Sequence, residues 1–523
     1  MAHALVRLAR FALCAAIAVA APDTPARAQA AAAPSAAAAP CASLRALRLP
    51  DVRVTAATAV PADTRDAVRV PHCRVAGVTG RSVRFVVVLP DAWNGRLYMG
   101  GNGGFAGSIN GAALAVANDG YATVSTDTGH EDDGGPARWA LDDPERQLDF
   151  GRVAVHRAVE VAKVLVRAYY GAEPAHSYFE GCSNGGRQGL MEAERYPGDF
   201  DGIIAGAPAI PWSAIGAAFL RNAQAAFPTR AAFARPALRE AALDALSAAV
   251  LDQCDAIDGV RDGVVGDPRA CRFRLDRVRA CPADLPEAGC LTNAERALVA
   301  TIYAPTTDPA GRVVYPGQPV GGENLRGGWA PWITGRDTAL LRAHGTPTLQ
   351  LMFAEEGARY FMAGDTTWDY AHYDRARYAR DARPLAALLD AADPDLSAFV
   401  ARGGRLLLYH GWADPALNPL ATIDYYERVL GRDARARANV RLFLLPGVLH
   451  CGGGSGPAQV AWRRALADWV ERGAAPERLV ATRRDSTGKA IRTRPLCAHP
   501  ARAVYSGAGS TDDAASFACR EER

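Results

Sequence analysis

Beyond its N-terminal segment the chain has no uninterrupted apolar run of about eighteen residues, which excludes a membrane-spanning helix downstream. It has little net charge: 59 lysines and arginines against 56 aspartates and glutamates leave +3 over 523 residues. The basic residues are scattered and are overwhelmingly arginine, so no basic stripe marks a nucleic-acid surface. No Cys-x-x-Cys pair occurs, which removes the commonest zinc signature. Internal repeats are absent too. Histidine is scarce, at ten residues, so each well-placed one carries weight.

What is present starts with an export signal. Arg7 and Arg10 precede an apolar run over residues 11–21, and Ala26-Arg27-Ala28 offers a small-x-small cleavage site. The alternative, a buried helix, fits poorly with the alanine-rich stretch that follows as far as Pro40. Residues 1–28 are therefore expected to be a signal peptide and 29–40 a disordered linker. Cys14 would leave with the peptide. Ten cysteines remain, an even number in a chain bound for an oxidising compartment, either secreted or periplasmic.

The densest chemical signal is Gly181-Cys182-Ser183-Asn184-Gly185, which follows the strand-like His176-Ser177-Tyr178-Phe179-Glu180. Small residues flanking a serine let the backbone turn sharply from strand to helix and lift the hydroxyl clear of the sheet. A glycine-rich structural turn would read the same way if nothing else supported it. Support comes from the far end of the chain. Asp414 follows the apolar Leu406-Leu407-Leu408, and His450 closes a strand-like run that begins at Val440 and passes through Gly447. The order Ser, Asp, His, each at the carboxyl end of a predicted strand, is that of an α/β-hydrolase. A capping aspartate and an ordinary loop histidine are the bland alternative. Asn184 would supply one backbone oxyanion donor, and the loop Gly100-Gly101-Asn102-Gly103-Gly104-Phe105 the other, at Gly103 with Gly104 close behind. Read blandly, that loop is a flexible turn or a phosphate cradle.

Cys182 immediately precedes the serine and Cys451 immediately follows the histidine. With these paired Cys-Ser and His-Cys dipeptides the chain resembles the tannase and feruloyl esterase family, which includes mono(2-hydroxyethyl) terephthalate hydrolase. The resemblance runs from about Cys41 to Cys519. Together with local spacing it implies the disulfides Cys41–Cys73, Cys182–Cys451, Cys254–Cys271, Cys281–Cys290 and Cys497–Cys519. It implies a structural calcium ion in the loop Asp255-Ala256-Ile257-Asp258-Gly259-Val260-Arg261-Asp262-Gly263-Val264, held by Asp255, Asp258 and Asp262 with the carbonyls of Val260 and Val264. Several carboxylates in a glycine-broken loop suit a hard cation, although the spacing is not that of an EF-hand and a solvated acidic turn is the alternative. The resemblance also places His410 near the substrate, a buried structural histidine being the other reading.

Strand runs at residues 81–89, 96–99 and 121–125, a helical period over 153–170 ending at Gly171, a short strand into a turn over 200–208 and strands resuming at Arg405 point to an α/β fold. The expected fold is an α/β-hydrolase with a mostly parallel central sheet and a large inserted lid domain. Its core would span residues 41–209 and 401–523, and its lid, carrying the calcium loop, 210–400. The lid is rich in aromatics: Trp212, Trp329, Trp332, Tyr360, Phe361, Trp368, Tyr370 and Tyr373. Some would stack on a substrate and most would form lid core.

The family implies an esterase for aromatic acids: feruloyl, galloyl or a terephthalate half-ester. The last would need a cation, for which Arg336, Arg375, Arg377 and Arg380 are candidates. Its partners are then small or polymer-linked esters, with no nucleic acid and no membrane anchor. A general carboxylesterase or acyltransferase, or a secreted calcium-stabilised binding protein on the same scaffold, are the competing readings.

Overall fold

The computed structural model describes residues 38–132 and 134–521. The expected signal peptide, Cys14 and most of the linker lie outside the described residues. In chain order the strands are β1 (Val52–Val60), β2 (His72–Thr79), β3 (Val83–Pro90), β4 (Arg96–Gly100), β5 (Ala122–Thr126), β6 (His176–Cys182) and β7 (Gly202–Gly206). A small hairpin, β8 (Thr306–Thr307) and β9 (Val313–Tyr315), lies within the long insertion before β10 (Arg405–Gly411) and β11 (Val440–Leu445). Nine of these form one twisted sheet in the order β1-β2-β3-β5-β4-β6-β7-β10-β11. The β1, β2, β3 and β5 pairings are antiparallel, and every pairing from β5 across to β11 is parallel.

Side-chain alternation along the strands builds two cores, one on each face of the sheet. Phe179, Ile203, Leu406 and Leu408 face the helices Ala154–Tyr170, Asn184–Arg195 and Pro419–Arg432. Their neighbours Tyr178, Ile204 and Leu407 face the other way, onto Trp462, Leu466 and Trp469 of helix Trp462–Arg472. Helix Ala154–Tyr170 buries Ala158, Ala162, Leu165 and Val166 in one stripe and stops at Gly171, whose φ of 74° is the left-handed cap a glycine supplies most cheaply. Two-sided burial explains why β5 and β7 are buried at every position, whereas the edge strand β1 exposes much of its length.

The insertion between β7 and β10 is mostly helical and holds a separate core around Phe227, Leu246, Val250, Val299, Ile302 and Trp329. Its helix Asn293–Tyr303 opens on a reciprocal capping box between Thr292 and Glu295. After the sheet, two further hairpins, β12 (Arg478–Arg484) with β13 (Ala490–Cys497) and β14 (Arg502–Tyr505) with β15 (Phe517–Arg520), close the chain. Among the described residues no helix is long and apolar enough to cross a membrane.

Candidate active site

Ser183 stands between the end of β6 and the first turn of helix Asn184–Arg195, with φ 63° and ψ −126°. A β-substituted residue in that region is strained by about 1–3 kcal/mol, so the surroundings must impose it. They do: the Ser183 amide donates to Gly206 O at 3.0 Å, and its carbonyl accepts from Arg187 and Ala209 at 3.0 and 3.1 Å. The flanking glycines are required by contact distance. A Cβ on Gly181 would stand 2.5 Å from the Gly185 carbonyl, and one on Gly186 2.4 Å from Gly206 O.

Asp414 and His450 arrive on the loops after β10 and β11. The Nδ1 of His450 lies 2.8 Å from Asp414 Oδ2, and Asp414 Oδ1 accepts the amides of Ala416 and Leu417 at 2.8 and 2.9 Å. Asp414 is wholly buried. Burial alone pushes its carboxyl up, but the His450 charge and the hydrogen bonds from His410 and His450 outweigh that and hold it well below the usual carboxylate range. With Nδ1 committed to the aspartate, Nε2 is the ring nitrogen left to face the cavity that His450 and Ser183 both line. Cys182 and Cys451 form a disulfide, Cα to Cα 6.0 Å, tying the residue before the serine to the residue after the histidine. The other four expected pairs are also present.

His410 is not at the cavity. It is completely buried behind Asp414, with Nε2 3.2 Å from Asp414 Oδ2 and 3.1 Å from Leu417 O, and Nδ1 2.8 Å from Thr422 Oγ1. The expected substrate contact is thereby corrected. A histidine four residues before Asp414 on the same strand end points back under the loop, where it supports the carboxylate instead.

Asn184 and Gly103 line the same cavity as Ser183. The Asn184 amide is the first of its helix, a donor that no intrahelical carbonyl can reach. Four side chains that the sequence reading passed over fix these two donors relative to one another. Arg187 Nε donates to Asn184 Oδ1 at 2.8 Å, and Asn184 Nδ2 donates to Asn102 O at 3.2 Å. Gln188 Oε1 accepts the Asn102 amide at 2.9 Å, and Asn102 Nδ2 donates to Ser108 O at 2.8 Å. The signal was in the sequence, in the Asn184-Gly185-Gly186-Arg187-Gln188 run on the first turns of the helix.

The cavity has a volume of about 280 Å³, and its walls are apolar: Trp212, Ile215, Phe219, Trp332, Phe353 and Leu417. Trp332 meets the His450 ring edge-on at 5.2 Å, and it faces Phe353 near-parallel, 14° apart in plane with centroids at 6.3 Å. A wider cleft of about 640 Å³ adjoins it along Gly103, Gly104, Trp332 and Phe353, and carries polar groups at Ser108, Asn110 and His344. Of the aromatics expected in the lid, Trp212 and Trp332 reach the site, whereas Trp329 and Tyr370 are core. No arginine or lysine lines either cavity among the described residues. Arg336 bonds Phe233 O, and Arg377 and Arg380 pair with Asp381. Arg375 lines a different pocket.

The match to known proteins is decisive at this point: residues 66–520 fit the family described as tannase and feruloyl esterase. The chain belongs to the tannase and feruloyl esterase family. It is 37% identical over 528 residues to an uncharacterized esterase of Xanthomonas campestris pv. campestris, covering 92% of this chain and 91% of that one. It is 31% identical over 515 residues to the mono(2-hydroxyethyl) terephthalate hydrolase of Piscinibacter sakaiensis, covering 86% and 84%. The crystal structure of feruloyl esterase B from Aspergillus oryzae superposes with a TM-score of 0.80 at 27% identity, over 92% of this chain and 99% of that one. The fold is that of an α/β-hydrolase and the protein is a carboxylic ester hydrolase, as other members of the family are.

The acidic loop of this family member packs against the C-terminal hairpins and is closed by Cys254–Cys271. Asp255 accepts the amides of Asp262, Gly263 and Val264 at 3.1–3.2 Å, and Asp258 Oδ1 accepts that of Val260 at 3.1 Å. Asp262 Oδ2 meets Arg492 and Arg494, while its Oδ1 is buried without a hydrogen-bond partner. Burial, then the charges of Asp262 and Asp255, push the Asp258 carboxyl up to about 6. An oxygen-only donor set with crowded negative charge and an orphaned buried carboxylate oxygen fits a hard cation in kind. Among the described residues the potential ligand atoms that gather within 4.8 Å of one another belong instead to His156, Glu192 and Asp199, where Lys163 already lies 3.8 Å from Asp199.

Proposed function

We propose that this protein is a secreted serine esterase that hydrolyses esters of neutral aromatic carboxylic acids. In this reading Ser183 attacks the ester carbonyl while His450 Nε2 takes its proton, and Asp414 fixes the tautomer and stabilises the imidazolium that forms on His450. The oxyanion rests on the Asn184 and Gly103 amides, each worth about 3 kcal/mol. His450 then returns the proton to the leaving alcohol, and water repeats the sequence on the acyl-enzyme.

The carrying observation is the cavity beside Ser183 and His450, walled by Trp212, Phe219, Trp332 and Phe353 and free of arginine and lysine among its lining residues. Aromatic walls suit a feruloyl or galloyl ring. A terephthalate half-ester would have to leave its second carboxylate without a cation, and a buried unpaired charge is costly. The order of preference is therefore methyl ferulate or methyl gallate ahead of mono(2-hydroxyethyl) terephthalate. Initial rates on the three esters, with Ser183→Ala as control, test it. Turnover of an aromatic methyl ester that disappears in the variant supports the reading. A faster rate on the half-ester, or a rate the variant keeps, overturns it.

Calcium belongs to the same proposal, as a structural ion held by Asp255, Asp258 and Asp262 with the carbonyls of Val260 and Val264. Its chemistry when bound is charge neutralisation, with no part in ester cleavage. Chelation is expected to lower Tm; an unchanged melting curve together with no calcium by elemental analysis would remove it. Export follows from the N-terminal signal and suits five disulfides, which persist in oxidising compartments.

A further inference from the structure

Helix Trp212–Ala226 has two working faces. Trp212, Ile215, Gly216 and Phe219 line the catalytic cavity, whereas Ser213, Ala214, Ala217 and Leu220 line a second pocket of about 220 Å³ on its outer side. The two sets interleave at helical spacing, so the pockets stand back to back across one helix.

The second pocket has an apolar floor of Ala214, Ala217, Leu220, Ala382 and Ala386, and two guanidinium groups, Arg375 and Arg383. Neither arginine side chain has a hydrogen bond or ion pair among the described residues. The one carboxylate in the lining, Asp308, is already taken by Arg312 at 2.7 Å and by the amides of Ala310 and Arg312 at 2.9 Å. Behind the pocket Arg221, hydrogen-bonded to Ala304 O at 2.7 Å, adds a third cation. Burial and then the like charge of Arg375 lower its pKa to about 10. The pocket is therefore apolar within, and its two guanidinium groups lack a paired carboxylate, since Asp308 is engaged by Arg312 and Asp390 is held behind Ser213 by its amide and hydroxyl at 2.8 and 2.6 Å. An aromatic ring with one carboxylate answers both properties, since guanidinium binds carboxylate bidentately and the alanine floor accepts a flat ring.

We infer that this outer pocket, bounded by Arg375, Arg383 and the helix face Ala214, Ala217 and Leu220, binds an aromatic monocarboxylate at a site separate from the catalytic cavity. The site stands on its own geometry; only the identity of the acid, the free product of aromatic ester cleavage, rests on the proposed function. The two pockets also share one packing contact. Tyr378 lines the outer pocket, and its hydroxyl lies where a Cβ on Gly216 would stand 2.2 Å away, on the wall of the catalytic cavity.

The test is calorimetric titration of ferulate into wild type and into Arg375→Gln/Arg383→Gln. These exposed, unpaired arginines can be replaced without disturbing the fold. Methyl ferulate titrated into Ser183→Ala serves as the uncharged control. Wild type should show two classes of site, one of which weakens by about tenfold or more in the double variant. Hydrolysis of methyl ferulate by the double variant should stay within about twofold of wild type. Identical ferulate isotherms in the two proteins would overturn the proposal. So would methyl ferulate filling the outer site as tightly as the acid, or sulfate displacing ferulate from it at equal concentration. If no ester is turned over while the double variant still loses a ferulate site, the proposed function fails and this site stands.

Discussion

Arg187 donates from Nε to Oδ1 of Asn184 at 2.8 Å, and the guanidinium that does so is wholly out of solvent. Its other contacts are carbonyls, Gly151 O at 2.6 Å and Phe150 O at 3.1 Å, and it lies 5.2 Å over the Phe150 ring and 5.5 Å over Trp212. Burial lowers its pKa to about 9, so it remains charged at neutral pH. Through Asn184 and Asn102 it steadies both amides proposed to hold the oxyanion.

Replacing Arg187 should therefore act on the chemical step. Arg187→Met is expected to lower kcat about 10- to 100-fold, short of the loss when an oxyanion donor is deleted outright. Arg187→Lys should recover little, because an ammonium cannot reproduce the planar fork. KM should change by less than about threefold. A drop in Tm with kcat intact would make Arg187 a folding residue alone.

The aspartate makes a sharper prediction. Asp414→Asn keeps the volume but lets the wrong ring nitrogen of His450 carry the proton, which should lower kcat by about 10³- to 10⁴-fold. His410→Gln should cost less, because Asp414 Oδ1 still accepts the Ala416 and Leu417 amides. Steady-state rates of the two variants on one ester decide the order, and equal losses would show that His410 does more than support the carboxylate.

The parts legible in the sequence were those where one residue type answers one local demand. The glycines around Ser183 announce a turn that forbids Cβ atoms, and β3, β6 and β10 are apolar because both their faces are covered. Edge strand β1 and the C-terminal hairpins were missed, since strands exposed along much of their length lack a continuous apolar signal. Phe353 and Phe219 were missed for a different reason. Whether a lid aromatic lines a cavity or fills a core depends on packing between distant segments, and Trp329 and Trp332, three residues apart, took opposite fates. His410 was placed near the substrate by resemblance alone, and of its two readings the buried one holds, because nothing local in the sequence tells which side of a loop a ring occupies.

The Cys182–Cys451 bond spans 269 residues of sequence. Closing so long a loop is worth about 5.6 kcal/mol in the chain-entropy account, an upper figure for a chain with four other cross-links. It also joins the two loops that carry Ser183 and His450. Cys182→Ser/Cys451→Ser should lower both Tm and kcat, with a larger kcat loss than Cys281→Ser/Cys290→Ser, whose bond spans only 9 residues of the insertion. Equal kcat losses in the two double variants would show that the first bond contributes stability and nothing to the site.

His156 supplies a pH signature. Its Nδ1 lies 2.6 Å from Asp199 Oδ2, its ring stacks on Tyr196 at 4.0 Å, and Glu160, Lys163 and Glu192 complete its charged surroundings. The Asp199 hydrogen bond raises the imidazole pKa above its ordinary 6.5, against burial and Lys163, which lower it. A group whose folded pKa is raised binds more protons folded than unfolded, so its contribution is complete below about pH 6.5 and fades as pH climbs through the folded value. The Tm gap between wild type and His156→Gln should then be widest near pH 5.5 and narrow by pH 9. Melting curves of both proteins across that range settle the sign: a gap that widens with pH would mean that neutral imidazole, accepting rather than donating, is the form this cluster holds.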